Sequence, residues 1–95
     1  MAARIKEPEN GSTIEGLQVG KKVNVTCKAE GNPQPNVSWV QNSTGKVIAS
    51  RMGSVQLLKA LEKDDDFGSY ICIARNRLKN SALKHDKVFI KLMKG

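Results

Sequence analysis

Tyr70-Ile71-Cys72-Ile73-Ala74-Arg75 is the stretch on which the fold turns. Tyr70, Cys72 and Ala74 alternate with Ile71, Ile73 and Arg75, the period-two pattern of a half-buried strand. The same alternation recurs upstream, where Val23, Val25, Cys27 and Ala29 interleave with Lys22, Asn24, Thr26 and Lys28. It recurs downstream as Val88, Ile90 and Leu92 against Lys87, Phe89, Lys91 and Met93. Val37 and Trp39 open another buried face. A short Lys46-Val47-Ile48 run follows, then a strand within Val55–Leu61 whose inward parity is open, because Val55/Leu57 and Leu58/Leu61 compete. A weaker strand lies around Ile14–Val19. The breaks between strands are chemical: Gly31-Asn32-Pro33-Gln34-Pro35, Asn42-Ser43-Thr44-Gly45 and Asp64-Asp65-Asp66. About seven short strands with turns at this spacing predict an all-β sandwich or small barrel.

Ninety-five residues, 39% hydrophobic and 26% charged, fit one globular domain. The expected domain is 1–95 with its core at about 14–92, excised from a larger multidomain protein. No apolar run approaches eighteen residues, so no membrane contact is expected of this fragment. Met1-Ala2-Ala3-Arg4 lacks the apolar core of a secretory signal, which would lie outside it. The two cysteines, 45 positions apart, suit one extracellular disulfide better than a metal site, which needs more ligands than the single His85 supplies. Four asparagines, Asn10, Asn24, Asn36 and Asn42, stand in N-x-S/T contexts where chance predicts roughly one. That excess favours passage through a secretory pathway, although some sequons arise by accident in a polar β-protein.

Cys27, Trp39 and Cys72, with twelve and then thirty-three residues of spacing, resemble the immunoglobulin superfamily. Asp66-Phe67-Gly68-Ser69-Tyr70-Ile71-Cys72 resembles its D-x-G-x-Y-x-C segment. Cys27-x-Ala29-x-Gly31-x-Pro33-x-Pro35, Val37-x-Trp39 and Cys72-x-Ala74-x-Asn76 narrow the likeness to the intermediate set (I-set), as in adhesion molecules and receptor ectodomains. The resemblance spans about Ile14 to Leu92. It implies a two-sheet antiparallel sandwich, a Cys27–Cys72 bridge with Trp39 packed against it, and a tyrosine corner at Tyr70. Gly68 would permit the turn before Tyr70, and Asp66 would have a charge partner, with Arg51 the candidate. Closing the 45-residue loop would contribute on the order of 4 kcal/mol if chain entropy dominates. Two features depart from the pattern. The glycine expected about three residues after Asn76 is missing, making Asn80 the candidate for the left-handed turn position, and the stretch from Asn76 to Val88 is unusually basic.

No enzyme is expected: one histidine, no spare cysteine and no Gly-rich phosphate loop leave nothing for catalysis, and no cofactor or metal is implied. The acidic turn reads as solvated, with Asp66 held in a structural ion pair. Charge points instead to binding. Residues 1–74 hold nine Lys or Arg against eight Asp or Glu, and residues 75–95 hold seven against Asp86 alone, so +1 and +6 make up the net +7. If Cys72 points inward, Ile71 and Ile73 point outward, as do Val40, Phe89 and Met93 on strands that share its sheet in the family. This gives an apolar centre within a basic margin, the make-up of a protein-binding face. The competing explanation is that outward β-branched residues reflect strand propensity, or lie under a neighbouring domain.

Arg75, Arg77, Lys79, Lys84, Lys87 and Lys91 form a second candidate surface, which would hold heparan sulfate by charge or serve only as a solvated face. Nucleic acid is not expected given the compartment signals. The expected function is a non-catalytic extracellular or cell-surface module of an adhesion molecule or receptor, binding a homophilic or heterophilic protein partner. A receptor ectodomain binding heparin or growth factor is the near alternative. An intracellular structural domain of the sarcomeric or cytoskeletal kind is the distant one.

Overall fold

The computed structural model describes residues 1–79 and 82–95, so the expectation for Asn80 lies outside the described residues. Among the described residues, eight strands run in the order β1 (Arg4–Glu7), β2 (Ser12–Leu17), β3 (Lys22–Glu30), β4 (Asn36–Gln41), β5 (Lys46–Met52), β6 (Ser54–Ala60), β7 (Gly68–Arg77) and β8 (Leu83–Lys94). They form the two-sheet sandwich that the resemblance implies. One sheet is ordered β1-β3-β6 and the other β2-β8-β7-β4-β5.

The first strand was not foreseen, because Arg4-Ile5-Lys6-Glu7 offers one apolar residue in four. It pairs antiparallel with β3, and Pro8, which has no N–H to donate, follows its last residue. The chain then changes sheets. Gly11 (φ +84°) donates its N–H to the Phe89 carbonyl at 2.7 Å, and β2 runs parallel to β8. Another change of sheet occurs between β5 and β6 at Gly53 (φ +81°), where a Cβ would come within 2.5 Å of the Gln34 side chain.

The core joins both inner faces: Val23, Cys27, Val55, Leu57 and Leu61 against Val37, Trp39, Tyr70, Cys72, Val88, Ile90 and Leu92. It begins earlier than Ile14, since Ala3 is buried and Ile5 packs against it. The parity left open in β6 resolves to the odd positions. Val55, Leu57 and Leu61 are buried while Leu58 is 64% exposed. Cys27 on β3 and Cys72 on β7 are joined as a disulfide across the sheets, with Cα atoms 6.5 Å apart. Trp39 pairs beside Cys72, and its Nε1–H donates to the Val55 carbonyl at 3.2 Å. The one buried indole N–H thus has its acceptor on the opposite sheet.

Candidate recognition face

Residues that fix the ends of β7 determine which side chains it presents. Tyr70 Oη donates to the Asp66 carbonyl at 2.6 Å, and Gly68 sits at φ +121° between them. The Asp66 carboxylate in turn accepts the N–H groups of Glu62 and Lys63, at 2.8 and 3.1 Å. Burial pushes the Asp66 carboxyl up, but those two bonds and the Lys59 ammonium outweigh it and hold the group below the usual carboxylate range. Burial, with the Asp66 charge nearby, pushes the Tyr70 hydroxyl above its ordinary value.

The ion-pair partner of Asp66 is Lys59, at 3.4 Å, and not Arg51. The reason is topological. Lys59 lies at the end of β6 that arrives at the Asp64–Asp66 turn, whereas Arg51 pairs with Val37. Val37 is four residues, about 13 Å, along β4 from Gln41, whose side chain reaches the Asp65 carbonyl.

At the opposite end of β7, buried Asn76 ties three segments together. Its Oδ1 accepts the Ala3 N–H at 2.9 Å, and its Nδ2 donates to the carbonyls of Met1 and Pro33 at 2.8 and 2.9 Å. Gly31 leaves the room for this: a Cβ there would stand 2.8 Å from Asn76 Nδ2. Asp86, the lone acid of the basic stretch, is also committed internally, since its Oδ2 accepts the Ile5 N–H at 2.9 Å. Neither role had a local sequence signal, because the partners lie 43 to 81 positions away.

With both ends fixed, the outward residues of the five-stranded sheet fall into register. Val40 faces Ile71, and Ile71 faces Phe89. Val47 on β5 faces Val40 and extends the row to four strands. Sequence reasoning saw Val47 only as part of a short run; the bulge beside Val40 re-aims it outward. Val47 is 55% and Phe89 44% exposed, while Val40 and Ile71 are partly covered by their neighbours. Ile73 adjoins the row one outward step along β7. Met93 is exposed but stands apart, four residues (about 13 Å) along β8 from Phe89.

The basic residues divide. Arg75 pairs with His85, Ile73 with Lys87 and Arg77 with Leu83, all at outward positions beside the apolar row. Lys91 is also outward. Lys84 shares its parity with Asp86 and Val88 and is aimed toward the other side of the strand, and Lys79 lies beyond β7 in the turn. Among the described residues, no ion pair involves Arg75, Lys87 or Lys91.

The four sequon asparagines are all exposed. Asn24 faces Leu58 on the three-stranded sheet, and Asn42 lies in the β4–β5 turn. Asn10 Oδ1 accepts the Phe89 N–H at 2.9 Å. Asn36 faces Arg75 on the five-stranded sheet, where its Oδ1 accepts the Ser50 hydroxyl at 2.8 Å. Among the described residues, no group of three His, Cys, Asp or Glu side chains could hold a metal ion.

A family model described as immunoglobulin domain matches residues 4–76. Tyrosine-protein phosphatase Lar of Drosophila melanogaster is 32% identical over 81 residues, covering 80% of this chain and 4% of that protein. Human neural cell adhesion molecule 1 is 35% identical over 82 residues, covering 77% of this chain and 9% of its own length. The chain spans between 3% and 11% of the length of the curated relatives it matches. Among solved structures, that of Dpr11 IG1 bound to DIP-gamma IG+IG2 aligns with a TM-score of 0.61 at 26% identity, over 97% of this chain and 48% of the other. The titin Ig tandem domains align with a TM-score of 0.67 at 22% identity, over 99% and 48%, a likeness of fold alone.

Proposed function

The chain belongs to the immunoglobulin domain family, and from that premise we propose that it is a non-catalytic, extracellular recognition module of a cell-adhesion molecule or cell-surface receptor. It binds a protein partner through the outer face of the β2-β8-β7-β4-β5 sheet. The observation that carries this reading is the row Val47–Val40–Ile71–Phe89, in register across four strands. An apolar centre with a charged edge is how protein-binding faces are built. The relative named as a cell adhesion molecule and the solved complex of Dpr11 with DIP-gamma support recognition of protein. The Cys27–Cys72 bridge and four sequons support an oxidising, secretory route. A glycan on Asn36 would stand at the Arg75 end of the face, four residues along β4 from Val40, and would count against this face as the binding surface.

The test is capture of purified cell-surface ectodomains by the multimerised chain. Ile71→Asp should abolish capture, and Leu58→Asp, an equally severe change on the exposed opposite sheet, should not. Equal capture by both variants would refute the assignment of the face. The fold likeness to titin Ig domains also fits an intracellular structural domain, in which the cysteines would be reduced and the sequons idle. Intact mass after eukaryotic secretion separates the two: the mass of two hydrogens gained on reduction, with added glycan, supports the extracellular reading.

A further inference from the structure

The recognition face is chemically one-sided. Besides its apolar row it presents Arg75, Arg77, His85, Lys87 and Lys91 at outward positions of β7 and β8. Among the described residues, the one carboxylate at an outward position of these five strands is Glu15, on edge strand β2. Asp86, the acid nearest in sequence, has turned its carboxylate away to accept the Ile5 N–H. Among the described residues, Arg75, Lys87 and Lys91 therefore have no ion-pair partner on this face. Arg75, His85 and Lys87, with Ile73 and Leu83, surround a shallow depression between β7 and β8, one outward step beyond the Ile71–Phe89 pair.

We propose that the partner is a heterophilic protein whose docking surface pairs an apolar patch with acidic side chains, and that the Ile73–Arg75–Leu83–His85–Lys87 depression receives one of those carboxylates. This rests on the reading of the sheet face given above. Charge complementarity selects the occupant. A second copy laid face to face would set cation against cation with only Glu15 to offset them, and like charges across an interface repel. A sulfated polysaccharide would satisfy the cations but leave Val47, Val40, Ile71 and Phe89 without an apolar counterpart. An acidic protein surface satisfies both at once, with electrostatics steering the encounter and the apolar row setting residence time.

The experiment measures three probes against the wild-type chain: a panel of purified cell-surface ectodomains, a heparin dodecasaccharide, and the chain itself by sedimentation. Arg75→Glu and Lys87→Glu are the test variants, each with a thermal melt to establish folding, and Asn36→Gln removes any glycan opposite Arg75. The expected result is an acidic ectodomain whose affinity falls about tenfold or more with each reversal and falls steeply with salt. Ectodomain binding that survives both reversals but is lost in Ile71→Asp overturns the acidic partner and leaves the face intact. Ectodomain binding that survives all three changes, or no ectodomain bound, overturns both. Self-association lost in Ile71→Asp overturns the heterophilic claim. Heparin binding lost in Arg75→Glu, with no ectodomain bound, assigns the cations to polysaccharide.

Discussion

Three aspartates stand together at positions 64–66, and the structure separates them by function. Asp64 and Asp65 are exposed, whereas Asp66 is buried, accepts two backbone N–H groups and pairs with Lys59. The group it organises includes the Asp66 carbonyl that takes the Tyr70 hydroxyl, so the start of β7 hangs on one carboxylate. Its folded pKa lies below the ordinary 3.8. A depressed carboxyl contributes stability that is present above the unfolded value and is lost as pH falls through the folded one. Asp66→Asn should therefore cost about 1–3 kcal/mol at neutral pH. That difference from wild type should shrink once pH drops below 3.8. Urea denaturation of both chains between neutral and strongly acidic pH measures this; a difference independent of pH would contradict it.

At the scale of the strand, the information in the sequence was uneven. Cys27, Trp39, Tyr70 and Cys72 could be placed because each fits one kind of environment and alternation fixes its neighbours. In β6 the adjacent leucines Leu57 and Leu58 are chemically identical, and only the pairing Val25↔Leu57 and Asn24↔Leu58 decides which is inside. Leu57→Ala should cost about 2–5 kcal/mol, and Leu58→Ala should stay within about 0.5 kcal/mol. Equal costs in denaturant melts would overturn the assigned register. The strand β1 and the Asp66–Lys59 pair were illegible for a different reason. Both depend on which segments the fold brings together, through contacts such as Ala3 to Asn76 and Ile5 to Asp86 that no local pattern encodes. The candidate site was partly legible in the same sense. Parity, with the shared sheet that the family resemblance implies, gave Val40, Ile71 and Phe89, while Val47 required the bulge and Met93 proved distant along β8.

Across the whole molecule, the two sheets present different chemistry to their surroundings. The β1-β3-β6 sheet shows Lys22, Asn24, Lys28 and Gln56, with Leu58 its large apolar side chain at the surface. The other sheet presents the apolar row Val47–Val40–Ile71–Phe89 beside Arg75, Lys87 and Lys91, which make no ion pair among the described residues, and that is why recognition is assigned to it. The most direct check is methyl cross-saturation by NMR on the labelled chain bound to a captured ectodomain. Signal loss is predicted at the methyls of Val47, Val40, Ile71 and Ile73, with the Leu58 methyls unaffected. Loss at Leu58 with the row untouched would contradict the assignment of the recognition face.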